Sequence, residues 1–390
     1  MGRLQDQRAV FVPFTLPGER VRVKLLEEKK RYARAEILEV IKPSPDRVIP
    51  RCQHFTRCGG CQYQHISYPN QLQIKSEILK DQLQRIGKIK APPLHPFIPS
   101  KDHWYYRNFV QFHLTPDGKL GFQAQRSHEV IPIQECHLPE APIGELWPRL
   151  ELDEVPGLDR VGIRVGSGED ILLNLESSDP QALSLELELP ISVVHSGPIG
   201  SIILAGDDYV VYQIKDHHFK VSAGSFFQVN TPMADAMVDH VQSLLSRSLN
   251  MKIIEAYCGV GLFSAFLAPV VQEFTGIESS PSACEDFEIN LDAFDNVVLY
   301  EAEVEDVLPN LHQTPDIILV DPPRSGLDIK VIDEILSLQP QQLIYVSCDP
   351  ATLARDLKRL IKGGYTLTQI TPFDLFPQTY HIESISLLHR

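Results

Sequence analysis

Three rhythms of apolar and polar residues divide the chain. Over residues 1–48, "AVFVPF" and "ERVRVKLLEEKKRYARAEILEVI" alternate with the period of two of half-exposed strands, with "PGE" as turn chemistry. They predict a small β module over 1–48, bounded by the Pro-rich "KPSPDRVIP". Residues 70–87, "NQLQIKSEILKDQLQRIG", change to helical spacing and stop at Gly87. Strand-like runs return over 96–222: "RNFVQFHLTPDGKLGFQ", "VGIRVGSGEDILLNL" and "GSIILAGDDYVVYQI". Their Asp-Gly and Gly-Asp-Asp punctuation predicts hairpins of an antiparallel sheet in a central domain, 49–222. From 223 to 390 apolar runs alternate with helical stretches: "MKIIEAYCGVGLF", "EFTGIES", "PDIILVDPP", "QLIYVSCDP". That alternation predicts an α/β unit with a Rossmann-like, doubly wound parallel sheet. "YTLTQITPFDLF" and "HIESISLLHR" should close it with an antiparallel hairpin. No fixed-period repeat is evident.

Composition changes this picture in two places. No run of eighteen apolar residues exists, and the start lacks the basic-then-apolar layout of a signal peptide, so the expectation is a cytoplasmic protein with no membrane span. Seven cysteines in that compartment point to metal ligands or catalytic thiols rather than disulfides. The net charge of -15 argues against a nucleic-acid partner until its distribution is seen. Residues 1–110 hold 20 Lys and Arg against 10 Asp and Glu; the rest hold 16 against 41. A basic N-terminal part that meets a polyanion and an acidic body follow.

The candidate chemistry lies at predicted strand ends. "IIEAYCGVG" is an apolar strand, an acidic residue and a Gly259-x-Gly261 turn, where glycines let backbone approach a ligand. Glu278 ends the next strand about twenty residues on, where an acidic residue bonds ribose hydroxyls, and Asp321 ends a later one in "VDPPRSG". A nicotinamide cofactor wants a third glycine where Ser264 stands. With Glu278, Asp321 and the closing hairpin, S-adenosylmethionine is the favoured cofactor.

Cys348, in "IYVSCDP", falls at a strand's carboxyl end, with Asp349 as a helix cap and Pro350 at the first helical position. A helix N-terminus there would stabilise a thiolate. A thiolate suits a methyl donor when the acceptor is C5 of uracil, a poor nucleophile. Addition at C6 makes an enolate, C5 takes the methyl group, and a base then removes the C5 proton. Glu383, a carboxylate inside the apolar strand "HIESISLL", is the candidate base.

Cys52, Cys58 and Cys61 read C-x5-C-G-G-C, and Cys136 stands far downstream. Four thiolates suit an iron-sulfur cluster or structural zinc, and the isolated fourth ligand favours the cluster. His54 and His65 are left as surface residues.

These residues resemble one known family. "FVPFTLPGERV", "RYARAEILEVIKPSPDRV", "CQHFTRCGGCQYQH", "GSFFQVN", "EAYCGVGLFS", "GIESS", "VDPPRSGL", "YVSCDPATLARDL" and "DLFPQTYHIESI" are similar to stretches of the RNA 5-methyluridine methyltransferases of the iron-sulfur type that act on 23S ribosomal RNA. The resemblance implies a TRAM (OB-like) domain at 1–48, a central β domain carrying the cluster, and a methyltransferase domain at 223–390, with the 70–87 helix packed on the latter. It implies Cys348 as nucleophile and Glu383 as base. S-adenosylmethionine contacts would come from Gln228, Tyr257, Glu278, Glu303 and Asp321. A [4Fe-4S] cluster would be held by Cys52, Cys58, Cys61 and Cys136. Of Phe226 and Phe227, both expected in the core, neither carries a role. The resemblance also implies a start partway into the TRAM domain and a polar residue, in some relatives, where Leu262 stands. The partner would be 23S ribosomal RNA, with the protein a monomer. Transfer RNA is the alternative substrate, and relatives acting on it often lack the cysteines. A non-catalytic iron-sulfur RNA-binding protein and a redox enzyme are the rivals from other classes. A cytosine methyltransferase would want Pro before its cysteine, where Ser347 stands.

Overall fold

Alternation of period two builds the first unit. Strands Gly2–Arg3, Ala9–Phe11, Arg20–Glu28 and Tyr32–Lys42 form one four-stranded sheet, in which the last lies between the second and third. Its core is small: Val10, Ala33 and Ala35. The computed structural model describes residues 1–390 apart from 151, 153–156, 169, 179–188, 246–249 and 312.

The central residues form a seven-stranded sheet from Phe109–Leu114, Leu120–Gln123, Val130–Pro132, Leu158–Val165, Ile171–Ser177, Ser192–Gly197 and Gly200–Ala205. Its pairings are antiparallel as expected, except that Ile171–Ser177 and Ser192–Gly197 run parallel. The hairpin expected across Gly-Asp-Asp is not formed. "SIILA" pairs back onto Ser192–Gly197, while Tyr209–Ile214 pairs with His217–Ser222 in a separate ribbon. Val210, Tyr212, Ile214, Phe219 and Val221 of that ribbon bury themselves against the C-terminal unit, which explains the parting.

The C-terminal sheet has strands β1 (Lys252–Ala256), β2 (Glu273–Glu278), β3 (Val297–Glu301), β4 (Ile317–Val320), β5 (Gln342–Ser347), β6 (Thr366–Phe373) and β7 (Glu383–His389). Their order is β3-β2-β1-β4-β5-β7-β6, with only β7 antiparallel to its neighbours. Successive residues of these continuous apolar runs bury on opposite faces. Ile253, Leu319, Ile344 and Ile385 share one cluster; Ile254, Ile318, Leu343 and Leu388 share the other. A sheet covered on both sides needs that pattern. The order reverses between β1 and β4, the place where open α/β sheets form ligand crevices.

The helix Tyr68–Arg85 covers this sheet although it precedes the central strands. Leu79 and Leu83 pack in one cluster with Leu353, Leu357 and Leu360 of the helix Pro350–Lys362. On the same helix Lys75 is fully buried, and its Nζ donates to Asp374 Oδ1 at 2.5 Å and to Phe376 O at 3.1 Å. Breaking a buried pair leaves a charge without compensation. Lys75→Met is therefore expected to cost about 3–5 kcal/mol, read as a lower urea midpoint at unchanged m. Surface changes such as Lys80→Met should leave the midpoint in place.

Candidate active site

Four strand ends meet at the reversal. After β1 the chain turns sharply. Tyr257 has φ 63°, Gly259 55° and Gly261 89°. A Cβ on Gly261 would sit 2.4 Å from Leu291 Cδ1, so glycine is required there by both conformation and space. Tyr257 is a side chain held in the left-handed region, a strain that clusters at functional sites. Its phenol donates to Glu305 Oε1 at 3.3 Å. Glu278, at the end of β2, accepts from Gly259 N at 3.0 Å, and from Ser279 N and Ser280 N at 2.8 Å each. The turn and the carboxylate thus hold each other, with Glu278 at the mouth. Below them Glu255 is buried, accepts from Ser264 Oγ at 2.6 Å, and is pushed up to about 8 by burial. At the end of β4, burial pushes the Asp321 carboxyl up to about 7.

Cys348 follows β5 directly. β5 pairs with β7 in the register Val346↔Ile385, Ser347↔Ser384. The ladder stops there: Cys348 is the residue after Ser347 and Glu383 the residue before Ser384, so both groups sit at the same end of the β5–β7 pair. The two groups feel one another: Glu383, 7 % exposed, has its pKa raised well above the ordinary value by burial and then by Asp321, against Arg324 and Lys75. The Cys348 thiol is pushed up to about 12 by burial, with Glu383 and Asp321 adding and Arg324 opposing. This corrects the expectation of a thiolate stabilised by the following helix. The first free amides of Pro350–Lys362, Ala351 N and Thr352 N, are taken by the Asp349 side chain at 2.8 and 3.0 Å. The Asp349 carboxylate occupies those amides, and the groups acting on Cys348 from across the site are the carboxyls of Glu383 and Asp321.

The Asp-Pro-Pro loop is pinned from the Cys348 side. Asp356, fully buried, accepts from Leu327 N and from Tyr345 Oη at 2.9 Å each. Arg324 of that loop reaches His381 Nδ1 at 3.1 Å, two residues before Glu383.

A family model described as tRNA (Uracil-5-)-methyltransferase matches residues 181–390, and a TRAM domain model matches residues 1–38. An uncharacterized RNA methyltransferase of Thermosynechococcus vestitus is 34% identical, with 100% of this chain and 94% of the relative covered. One from Aquifex aeolicus is 36% identical, over 98% and 93%. The chain belongs to the RNA uracil-C5 methyltransferase family. Among solved structures, the tRNA (uracil-54, C5)-methyltransferase of Pyrococcus abyssi in complex with S-adenosyl-L-homocysteine superposes with a TM-score of 0.76 at 25% identity, covering 99% of this chain and 98% of that one. The TRAM match stops ten residues short of the expected boundary at 48.

For an RNA methyltransferase of this family, the remaining expected residues fall in two groups. Gln228 stands in the loop before the helix Thr231–Leu244. Its carbonyl accepts from Asn108 Nδ2 at 3.1 Å. The preceding Gly224 abuts Ser282, at the start of the helix that follows Glu278, so this loop borders the Glu278 side of the mouth. Glu303 is exposed, stands at the N-terminal boundary of the helix Val304–Val307 without a side-chain bond to it, and lies with Glu305 around the Tyr257 phenol. The cysteines lie together elsewhere, in the central domain. Cys52, Cys58, Cys61 and Cys136 are free and line one cavity of about 240 Å³ in the central domain. His54 N donates to Cys52 Sγ and Gly60 N to Cys58 Sγ, each at 3.4 Å. Gly59 has no room for a side chain: a Cβ would lie 2.6 Å from Gln123 O. Among the described residues, no group of three His, Cys, Asp or Glu side chains converges as a single metal ion requires.

Two expectations fail here. His65 is buried, 3 % exposed, between Phe14 and Phe55, and burial lowers its pKa to about 4. Phe227 joins the core, but Phe226 is 70 % exposed. Adjacent residues of extended chain point to opposite sides, so a Phe-Phe pair splits rather than packing together. Sequence reasoning also missed Arg324, His381, Glu305 and Lys75. The signals were slight: an arginine in "DPPRSG", a histidine in "HIES", acidic residues in "EVEDV", and one lysine on the buried side of a helix.

Proposed function

We propose that the protein methylates C5 of a uridine in 23S ribosomal RNA from S-adenosylmethionine, with Cys348 as nucleophile and Glu383 as base. The observation that carries this reading is the β5–β7 pairing, which ends beside a thiol and a buried carboxyl, close enough for Glu383 to act on the Cys348 thiol. Gln228, Tyr257, Glu278, Glu303 and Asp321 would hold the methyl donor, Glu278 binding ribose hydroxyls. When bound, S-adenosylmethionine supplies a cationic sulfonium and its transferable methyl group. A uridine turned out of its stack lies between Cys348 and that group. Cys348 releases its proton to solvent before the site closes and adds through Sγ to C6, and the C5=C6 electron pair moves toward O4. Arg324, the cation that opposes the rise in both Cys348 and Glu383, favours the ionised forms as the site fills. Once C5 is methylated, Glu383 takes the C5 proton, C5=C6 re-forms, and the thiolate leaves.

Cys52, Cys58, Cys61 and Cys136 would be the ligands of a [4Fe-4S] cluster. Four thiols around one cavity, two receiving backbone N–H bonds, suit a multi-atom core better than one ion. The cluster would supply positive charge that keeps four thiolates ionised and would cross-link the 52–61 loop to Cys136. This centre favours ribosomal over transfer RNA. The family model's description and the Pyrococcus abyssi enzyme favour transfer RNA as the second reading.

The test is to purify the protein without air and supply labelled S-adenosylmethionine with unmodified 23S and transfer RNA transcripts. Each RNA is then digested and analysed for 5-methyluridine by mass. Product in 23S RNA is expected. Product confined to transfer RNA overturns the substrate and keeps the chemistry; none in either overturns the reaction.

A further inference from the structure

Residues 374–382 join β6 to β7 and lead into Glu383, the first residue of β7, so this loop together with the strand pairing fixes the carboxyl group. Much of its anchoring comes from the cysteine-bearing part of the chain. Gln62 and Tyr63, the two residues after Cys61, donate their backbone N–H groups to Gln378 O at 3.0 and 2.9 Å. The Gln71 amide pairs with Gln378 twice: its Nε2 donates to Gln378 Oε1, and its Oε1 accepts from Gln378 N, both at 3.0 Å. Tyr106 Oη donates to Pro377 O at 3.0 Å. Arg107, which lines the four-cysteine cavity, sets its guanidinium 5.9 Å from the Phe376 ring centre. Gln71, Tyr106 and Gln378 are buried, and Gln378 has φ 69°, a conformation that persists only where surroundings enforce it. No hydrogen bond of this set reaches Cys348, Gly259 or Glu278.

We infer that Gln71, Tyr106 and Gln378 are positioning residues: they clamp the Glu383 loop to the segment carrying Cys52, Cys58 and Cys61, so that order in the cysteine segment governs removal of the C5 proton and not the steps before it. This rests on Glu383 being the base. Loosening the clamp lets the carboxyl group drift from C5 while Cys348, which follows β5 and is not touched by the clamp, keeps its place. The methylated adduct then forms normally and resolves slowly, because the C5–H electrons cannot return to C5=C6 and expel sulfur until a base takes the proton.

The experiment compares full-length wild type, Tyr106→Phe, Gln71→Met and Glu383→Gln, each with S-adenosylmethionine. One substrate is the uridine RNA, the other the same RNA carrying 5-fluorouridine at the target. The fluoro adduct has no C5 proton to lose and accumulates whatever the base does. Protein–RNA adducts are read on denaturing gels, turnover by 5-methyluridine mass, and folding by thermal midpoint. For Tyr106→Phe and Gln71→Met we expect turnover on uridine RNA to fall about tenfold or more with KM unchanged. The adduct on uridine RNA should rise above wild type, and the rate of fluoro-adduct formation should be retained. Tyr106→Phe deletes one hydroxyl and carries the test should Gln71→Met fail to fold. Wild-type turnover in Tyr106→Phe, or loss of the fluoro adduct in step with turnover, overturns the clamp. Failure of Glu383→Gln to trap an adduct on uridine RNA overturns the base assignment, and the clamp with it.

Discussion

Replacing Cys348 by Ala is expected to abolish 5-methyluridine formation, a fall of about 10⁴-fold or more by comparison with other nucleophile deletions. No neighbouring group can substitute. Ser347 is buried and its hydroxyl donates to Asp349 O at 3.1 Å; Cys258 and Cys284 are buried elsewhere. The fold should survive, since Cys348 is only partly buried and the change removes a single sulfur atom. The measurement is single-turnover methyl transfer, with circular dichroism to show an intact protein and a denaturing gel to show that no adduct forms on 5-fluorouridine RNA. Methylated product from Cys348→Ala at a rate near wild type would remove the covalent mechanism altogether.

Glu383→Gln is expected to lower turnover about 10²–10⁴-fold, the usual contribution of a positioned base, while leaving adduct formation in place. The amide matches the carboxyl group in shape and cannot take a proton. Its effect on stability should have the opposite sign to its effect on activity. Burial holds the Glu383 pKa well above its ordinary value, so the native state binds more protons than the unfolded chain once pH passes the unfolded value. Stability from this group is therefore lost as pH rises, and the uncharged amide escapes that loss. Glu383→Gln should melt higher than wild type at alkaline pH, with the gap closing below about pH 4, where both states bind the proton. A variant that melts at or below the wild type at alkaline pH, or that turns over normally, would contradict the assignment.

Much of this was readable from local pattern. The apolar runs that end in Glu278, Asp321 and Cys348 announce strands buried on both faces, and their ends are where open sheets keep ligands. The Gly259-x-Gly261 spacing announces a tight turn, and the structure needs both positive φ values. The cysteine spacing suggested a shared centre, and the four thiols do line one cavity. These features depend on residues near one another in sequence, or on a residue type too costly to bury without a partner.

What pattern left open was decided by contacts across long stretches of chain. That Cys348 and Glu383 come to the same strand end depends on β7 entering between β5 and β6, antiparallel and in one register; a shift by one residue would turn Glu383 to the opposite face. The high pKa of the thiol follows from which carboxyl groups surround it and from Asp349 taking the helix amides, and neither can be read from the spacing of "SCDP". His65 and Phe226 were misplaced because a single polar or aromatic residue takes its burial from whatever packs against it. Lys75 meeting Asp374, and Gln71 meeting Gln378, join residues about 300 positions apart. Period and composition by themselves determined the layers and the strand-end chemistry; tertiary packing alone decided the register, the charges around the thiol and the tie between the two centres, because those energies exist only between elements already brought together.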